Sequence, residues 1–422
     1  MKKMSKKIEV LFMHQNFPGQ YRSLAPELNK LKNYNCRSLS MKQEGAIEGI
    51  KHDYYKVARG NSKDTHRLAI EFEAKLIRAE AAALKCLEYK KNGYTPDIII
   101  SHPGWGESLL IKEVWPDVKL LSYFEFYYNT INSDIDFPDS DEYDDEKRSF
   151  NLRTKLIARD HTGLMSFSQS DSIVCPTKFQ ASTAPSLIQK KINIIHDGVN
   201  TDRIKRSDEA YIEVTKNNDP NTKKRLTAKD KIITFVNRNL EPYRGYPIFM
   251  EALPEVYERH PDVEILIVGG DGTSYGANAP ENTSHKEIYF NKVKEDLKGA
   301  NVRFLGRVPY ESLLAMLSIT SAHIYLTYPF VLSWSMLEAM SLEALIIGSN
   351  TQPVEEVIDH NKNGLLFDFH DSKALAKNIN DVLDNSDDYN KMRKNARKTI
   401  VDNYDLKRIC LPKHLELIKS LK

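Results

Sequence analysis

The chain is poor in the features that most quickly assign a protein. Its 422 residues include four cysteines, Cys36, Cys86, Cys175 and Cys410, far apart and without CxxC spacing. Thiols scattered in this way argue against a disulfide framework and a structural zinc site, and read as reduced cysteines of a cytoplasmic protein. Long hydrophobic runs are missing as well. Ile8–Met13, after the leading lysines, has only the length of a strand, too short for a signal-peptide core or a membrane span. Nor is there an excess of one charge. Sixty Lys and Arg face 58 Asp and Glu, a formal net charge of +2, so no global field marks a nucleic-acid binder. No repeat of 20–50 residues occurs. His, Cys and carboxylates show no metal-ligand spacing, so neither a metal nor a cofactor is expected beyond the substrates themselves.

What is present describes an ordinary enzyme-sized α/β protein. Hydrophobic residues make up 41% and charged residues 28%, and the length exceeds one core, so two domains are expected. Strand-like runs alternate with helical periods. Ile8–Met13 leads into the turn Asn16-Phe17-Pro18-Gly19 and a helical stretch from about Tyr21. Leu68, Phe72, Leu76, Ala79, Ala83 and Leu87 recur at helical spacing and predict one long amphipathic helix. Further strands are expected at Ile98–Ile100, Leu120–Tyr123, Ser172–Cys175 and Ile192–Ile195. The second half repeats the theme with Ile232–Val236, Glu264–Val268, Val302–Leu305, Ile324–Leu326 and Ala344–Ile347, with helices at Met250–Glu258, Tyr310–Ser318 and Met336–Leu342. Such alternation implies βαβ units and parallel sheets. The polar, basic stretch TKNNDPNTKKRLTAKDK reads as a linker or surface loop at the domain join. The expected division is 1–205, 206–405 and a C-terminal helix, 406–422, packing back across the first domain.

Between Asp134 and Glu146 the chain is loaded with acids, among them Asp139-Ser-Asp141. A DxD pattern can bind a divalent ion, but an acidic run leading into a helix N-terminus reads first as a solvated loop.

The strongest chemical signals lie in the second half. The strand at Ile232–Val236 ends in Asn237-Arg238, and Arg244-Gly245 follows before the next helix. Arginines at the C-terminal end of a parallel strand face the crevice where open α/β sheets bind ligands, and the guanidinium fork suits phosphate oxygens. Two surface loop arginines are the plainer alternative. The strand at Ile324–Leu326 runs into Tyr328-Pro329-Phe330-Val331-Leu332-Ser333-Trp334-Ser335 and a helix carrying Glu338. Ser333 or Ser335 can cap that helix, its free amides form an anion site, and Glu338 can accept from ribose hydroxyls. A helix-terminus charge is the plainer role for Glu338.

The stretch YPFVLSWSMLEAMSLEALIIGSNTQPVEEVIDHNKNGLLFDF resembles the donor-site signature of retaining glycosyltransferases of family four, and FVNRNLEPYRGYPIFMEALPEVYERHPDVEILIVGG resembles the start of their donor domain. NVRFLGRVPYESLLAMLSITSAHIYLTYP, IVCPTKFQ, INIIHDGVN and KIEVLFMHQNFPGQYRSLAPEL extend the likeness, in order, over nearly the whole chain. The resemblance implies a GT-B fold, two Rossmann-like domains with a donor/acceptor cleft between them. It implies a nucleotide-sugar donor and a saccharide or lipid-linked saccharide acceptor. It also implies transfer of a hexose-type sugar with retention, in the synthesis of cell-surface polysaccharide or glycoconjugate. Arg238 and Arg244 then correspond to the basic pair on the diphosphate, and Glu338 to the second glutamate of a paired motif. The first glutamate of that pair is replaced here by Phe330. Leu332, Ser333, Trp334 and Ser335 are candidates for sugar and phosphate contacts, and Gly19, in a tight loop flanked by His14 and Arg22, for close approach to the phosphates. Glu125 stands about where many relatives carry a histidine near the reacting sugar, and His102 is the nearest histidine candidate; both are expected catalytic residues. The expected location is cytoplasmic, with the inner face of the membrane open to peripheral contact. Two rivals stay open: another enzyme on the same fold, such as a sugar-nucleotide epimerase, and a catalytically inert sugar-nucleotide or glycan-binding subunit.

Overall fold

A computed structural model describes residues 7–130, 133–137, 146–216 and 219–422. The chain divides into two compact units, Met1–Asp197 with Cys410–Lys422, and Gly198–Ile409.

The first unit is built on a seven-stranded sheet. Its strands are β1 (Ile8–Met13), β2 (Tyr34–Ser40), β3 (Lys51–Tyr54), β4 (Ile98–Ser101), β5 (Lys119–Tyr123), β6 (Ser172–Cys175) and β7 (Ile192–Ile194). All neighbours pair in parallel, in the order β3-β2-β1-β4-β5-β6-β7. Strands covered on both faces read as continuous apolar runs, and Val10–Met13 and Ile98–Ile100 are buried throughout. The helix Ile70–Lys91 forms where its periodicity predicts, but rotated. Ala79, Ala82, Cys86 and Tyr89 are buried, whereas Leu84 and Leu87 face outward. Ala82, Cys86 and Tyr89 enter one core with Leu11, Met13, Leu39 and Ile99, and the Tyr89 hydroxyl donates to Asp53 at 2.9 Å. The helix Leu411–Ser420 belongs to this unit and buries Leu411, His414 and Ile418, one stripe of its surface.

The second unit carries the antiparallel pair β8 (Ile212–Lys216) and β9 (Asp219–Leu226). Its main strands are β10 (Ile232–Asn239), β11 (Glu264–Gly270), β12 (Asn301–Gly306), β13 (Ala322–Tyr325), β14 (Ile346–Ser349) and β15 (Leu365–Phe367). These six pair in parallel in the order β12-β11-β10-β13-β14-β15. The β8–β9 hairpin corrects the expectation of a linker or loop in the basic stretch. Val214 and Leu226 are single apolar residues that the polar composition hid, and both enter the core of the unit with Ile232 and Leu266. The chain enters and leaves this unit side by side: the Val199 N–H donates to the Tyr404 carbonyl and the Leu406 N–H to the Val199 carbonyl, both at 2.8 Å. All four cysteines are free and buried. Among the described residues no helix is long and apolar enough to cross a membrane.

Leu11, fully buried at the centre of the first sheet, tests this core. Leu11→Ala should cost about 2–5 kcal/mol, read as a lower urea midpoint. A loss well under 1 kcal/mol would contradict a close-packed central strand.

Candidate functional site

Each sheet reverses its strand order once, and ligands of open α/β sheets bind at the carboxyl ends of the strands beside such a reversal. In the second unit the reversal lies between β10 and β13, and the residues expected at the donor site gather there. A register shift between Val236 and Asn239 ends β10. Arg238 is exposed, while Arg244 is buried. The Arg244 guanidinium donates to Thr327 Oγ1 at 2.6 Å and, from both Nη atoms, to the Val331 carbonyl at 3.2 Å. It also lies 5.0 Å from the Tyr275 ring and 5.6 Å from Phe330. Among the described residues no carboxylate pairs with it. The two arginines therefore share a strand end but differ in state, one held in loop contacts and the other open to solvent.

Beyond β13, Ser333 caps the helix Trp334–Ser341, its hydroxyl accepting from the Ser335 N–H at 3.3 Å. The Ser333 N–H donates to the Tyr325 phenol oxygen at 2.8 Å, and the Ser335 hydroxyl lies 2.8 Å from that of Ser333. Leu332 turns into the core, whereas Trp334 is half-buried. Glu338, the fifth residue of the helix, is 6% exposed and accepts from the Tyr310 hydroxyl at 2.7 Å. Phe330 is buried in an aromatic group, its centroid 5.1 Å from Tyr243 and 5.0 Å from Tyr275. Sequence reading missed Glu241, Tyr275, Thr327 and Tyr310. A lone acid or hydroxyl in a loop gives no periodic signal, and its importance appears only once its partners are in place.

In the first unit the reversal lies between β1 and β4, and Gly19, His102 and Glu125 follow β1, β4 and β5. His14 is buried; its Nδ1 accepts from the Asn16 N–H at 2.9 Å, so Nε2 carries the proton it donates to Gln20 Oε1 at 2.7 Å. Burial, reinforced by His102, lowers its pKa to about 3 and keeps it neutral. Gly19 has φ +45°, and a Cβ there would stand 2.3 Å from His14 Nε2, so both the backbone conformation and the close approach require glycine. The His102 ring is buried between Trp105, at 4.6 Å, and Tyr123, at 5.4 Å. Its Nδ1 accepts from the Gly104 N–H, and its Nε2 faces Glu125 Oε2 at 3.5 Å. Glu125 is about half exposed. Phe124 is fully buried against Phe167 and serves as wall packing. Gly19, expected at the donor phosphates, thus belongs to the unit that does not carry Arg238 and Glu338.

Among the described residues no group of three or more His, Cys, Asp or Glu could hold a metal ion. Asp139 and Asp141 lie outside the described residues. A cavity of about 560 Å³ flanks edge strand β3 and the helix Ile70–Lys91, lined by residues that include Asp53, Tyr54, Arg59 and Leu84, and contains none of the residues above.

Residues 32–204 match the model of the glycosyl transferase family 4 group, and residues 217–399 that of glycosyl transferases group 1. The spore coat protein SA of Bacillus subtilis is 28% identical over 181 residues, 42% of this chain and 46% of that protein. The D-inositol 3-phosphate glycosyltransferase of Corynebacterium efficiens is 26% identical over 168 residues, 39% and 38% of the two chains. The chain thus spans less than half the length of these relatives. A glycosyltransferase from Rickettsia africae superimposes with TM-score 0.63 at 19% identity, covering 98% of both chains. Anabaena HepE, solved in complex with UDP and glucose, does so with TM-score 0.64 at 12% identity, over 98% of this chain and 100% of that one. These likenesses show the fold, two parallel-sheet Rossmann-like domains of the GT-B type.

Burial lowers the pKa of His14 to about 3 and those of His196, His323 and His414 to about 4. Below about pH 6.5 the unfolded chain binds protons that the folded chain refuses, so stability is full at neutral pH and falls as pH drops towards about 4. Each histidine contributes about 1.4 kcal/mol per pH unit in that window. Urea denaturation at neutral pH and at about pH 5 checks this; equal stabilities would contradict neutral burial.

Proposed function

The chain belongs to the GT-B glycosyltransferases of the family-four type, and we propose that it moves a hexose-type sugar from a nucleoside-diphosphate donor to a hydroxyl acceptor, with retention. The observation that carries the reading is Arg244. A buried guanidinium with no carboxylate partner among the described residues carries positive charge beside a capped helix N-terminus, at the strand ends where ligands bind. A diphosphate is the anion that fits that combination. Arg238, exposed at the same strand end, adds a mobile second cation, and Glu338, oriented by Tyr310, accepts from the ribose hydroxyls.

In the reaction the bond from the sugar C1 to the diphosphate oxygen breaks and its electron pair leaves with the diphosphate. The acceptor oxygen bonds to C1 on the same face, and its proton passes to the departing phosphate oxygen. The protein contributes positive charge fixed in advance where negative charge grows, which needs no reorganisation at the moment of reaction. No metal is part of this proposal. His102 and Glu125 hold the acceptor side, the Glu125 carboxylate lying 3.5 Å from His102 Nε2. We place the acceptor among saccharides or lipid-linked saccharides of cell-surface polysaccharide or glycoconjugate synthesis, reached from the cytoplasm, with peripheral contact at the inner membrane face.

Two substitutions test the donor side. Arg238→Ala should weaken binding of UDP, or of whichever nucleoside diphosphate binds best, by roughly 1.5–3 kcal/mol through loss of a charge-assisted bond; isothermal titration measures it, and unchanged affinity removes Arg238 from the site. Glu338→Gln keeps the volume and an oxygen for Tyr310 but weakens the acceptor. It should lower kcat/KM for the donor by about 1.5–3 kcal/mol with a nearly unchanged Tm. Normal kinetics with a lowered Tm would make Glu338 structural instead.

A further inference from the structure

We propose that Glu241 is a positioning residue for donor binding, holding the loop after β11 so that Tyr275 completes the wall beside Arg244. The proposal rests on the donor-site reading above. Glu241 is fully buried, which is rare for a glutamate unless it is paired. Among the described residues no Lys, Arg or His pairs with it. Its carboxylate instead accepts from three successive backbone amides: Ser274 at 3.1 and 3.2 Å, Tyr275 at 3.1 Å and Gly276 at 3.3 Å. Three amides converging on one carboxylate fix both the loop and the side chain, because the charged acceptor strengthens every bond. Asn239 adds a second tie, its Nδ2 donating to Ser274 Oγ at 2.7 Å. The glycines of the segment lie flat on the end of β10: a Cβ on Gly270 would stand 2.6 Å from Asn239 Oδ1.

The arrangement is two-sided. Glu241 and Arg244 belong to one short turn, joined by the Arg244 N–H donating to the Glu241 carbonyl at 3.1 Å. From that turn the carboxylate reaches the loop after β11, while the guanidinium reaches Thr327 and Val331 after β13. β11, β10 and β13 are neighbours, so one turn grips the loops on both sides of the strand-order reversal. Tyr275 is where the two grips meet. Its ring lies 5.0 Å from Phe330, 5.7 Å from Tyr243 and 5.0 Å from the Arg244 guanidinium. Phe330 stands where the family resemblance calls for a carboxylate, and in this chain that wall is aromatic, its outer ring placed by Glu241.

The test uses the full chain. Isothermal titration of the wild type with UDP, GDP, ADP and CDP selects the diphosphate that binds. Glu241→Gln keeps the volume but leaves one oxygen for three amides, and should raise Kd for that diphosphate at least tenfold. Tyr275→Ala, at a ring 39% exposed and so tolerated by the fold, should raise it several-fold. The double variant should bind no worse than Glu241→Gln alone, since both changes remove one wall; a purely structural glutamate would give independent, multiplying losses. Wild-type affinity in either single variant, or multiplying losses, overturns the proposal. Should Glu241→Gln fail to fold, Tyr275→Ala decides alone. If the wild type binds none of the four diphosphates, the donor reading itself falls; if it binds one and the variants match it, only the role of Glu241 falls.

Discussion

Parallel strands can be joined only by crossovers, and this constraint governs both units. Every strand in the two main sheets has parallel neighbours, so every carboxyl end in a sheet emerges on one edge. Where the winding reverses, the connections on either side leave in opposite directions and uncover that edge. β1 and β4 make this place in the first unit, β10 and β13 in the second. Among the described residues, those expected at the donor and catalytic sites follow strands at or next to these two places, although some, such as Arg238 and Glu338, stand far apart along the chain.

The two places are chemically unlike. At the first, His14 is held unprotonated by burial, and the His102 ring is enclosed by Trp105 and Tyr123 with Glu125 at its rim. Burial also raises the Glu107 pKa, and its carboxyl accepts from the Tyr55 hydroxyl. At the second, Arg244 is buried with no carboxylate partner among the described residues, and Ser333 caps the helix that follows. Desolvation acts in both cases, because it suppresses charge on His14 and strengthens the field of the arginine.

Several expectations needed correcting, each for a physical reason. The long helix of the first unit was expected to bury Leu87, yet it buries Ala82, Cys86 and Tyr89, which share a core with Leu11 and Ile99 and let the Tyr89 hydroxyl reach Asp53. The basic stretch before β10 folds as a hairpin, because two apolar residues, Val214 and Leu226, suffice to anchor it when a core is already waiting. The cap needed no correction: Ser333, one of the two serines expected there, caps the Glu338 helix, with Ser335 inside its first turn.

Fold class and the strand ends that matter are legible in the residues alone. Apolar runs of strand length alternating with helical periods leave no other economical arrangement, and residue type at a strand end limits the chemistry there. Residue type and place in the alternation are therefore enough to single out Arg238, Arg244, Ser333 and Glu338. What each of them does with its hydrogen bonds is a matter of tertiary packing. Arg244 is buried and committed to Thr327 and Val331 while Arg238 is open, Tyr310 orients Glu338, and Glu241 is a loop anchor rather than a surface acid. Those outcomes depend on partners 28 to 87 positions away, and local sequence carries no record of which distant groups will be brought within hydrogen-bonding distance.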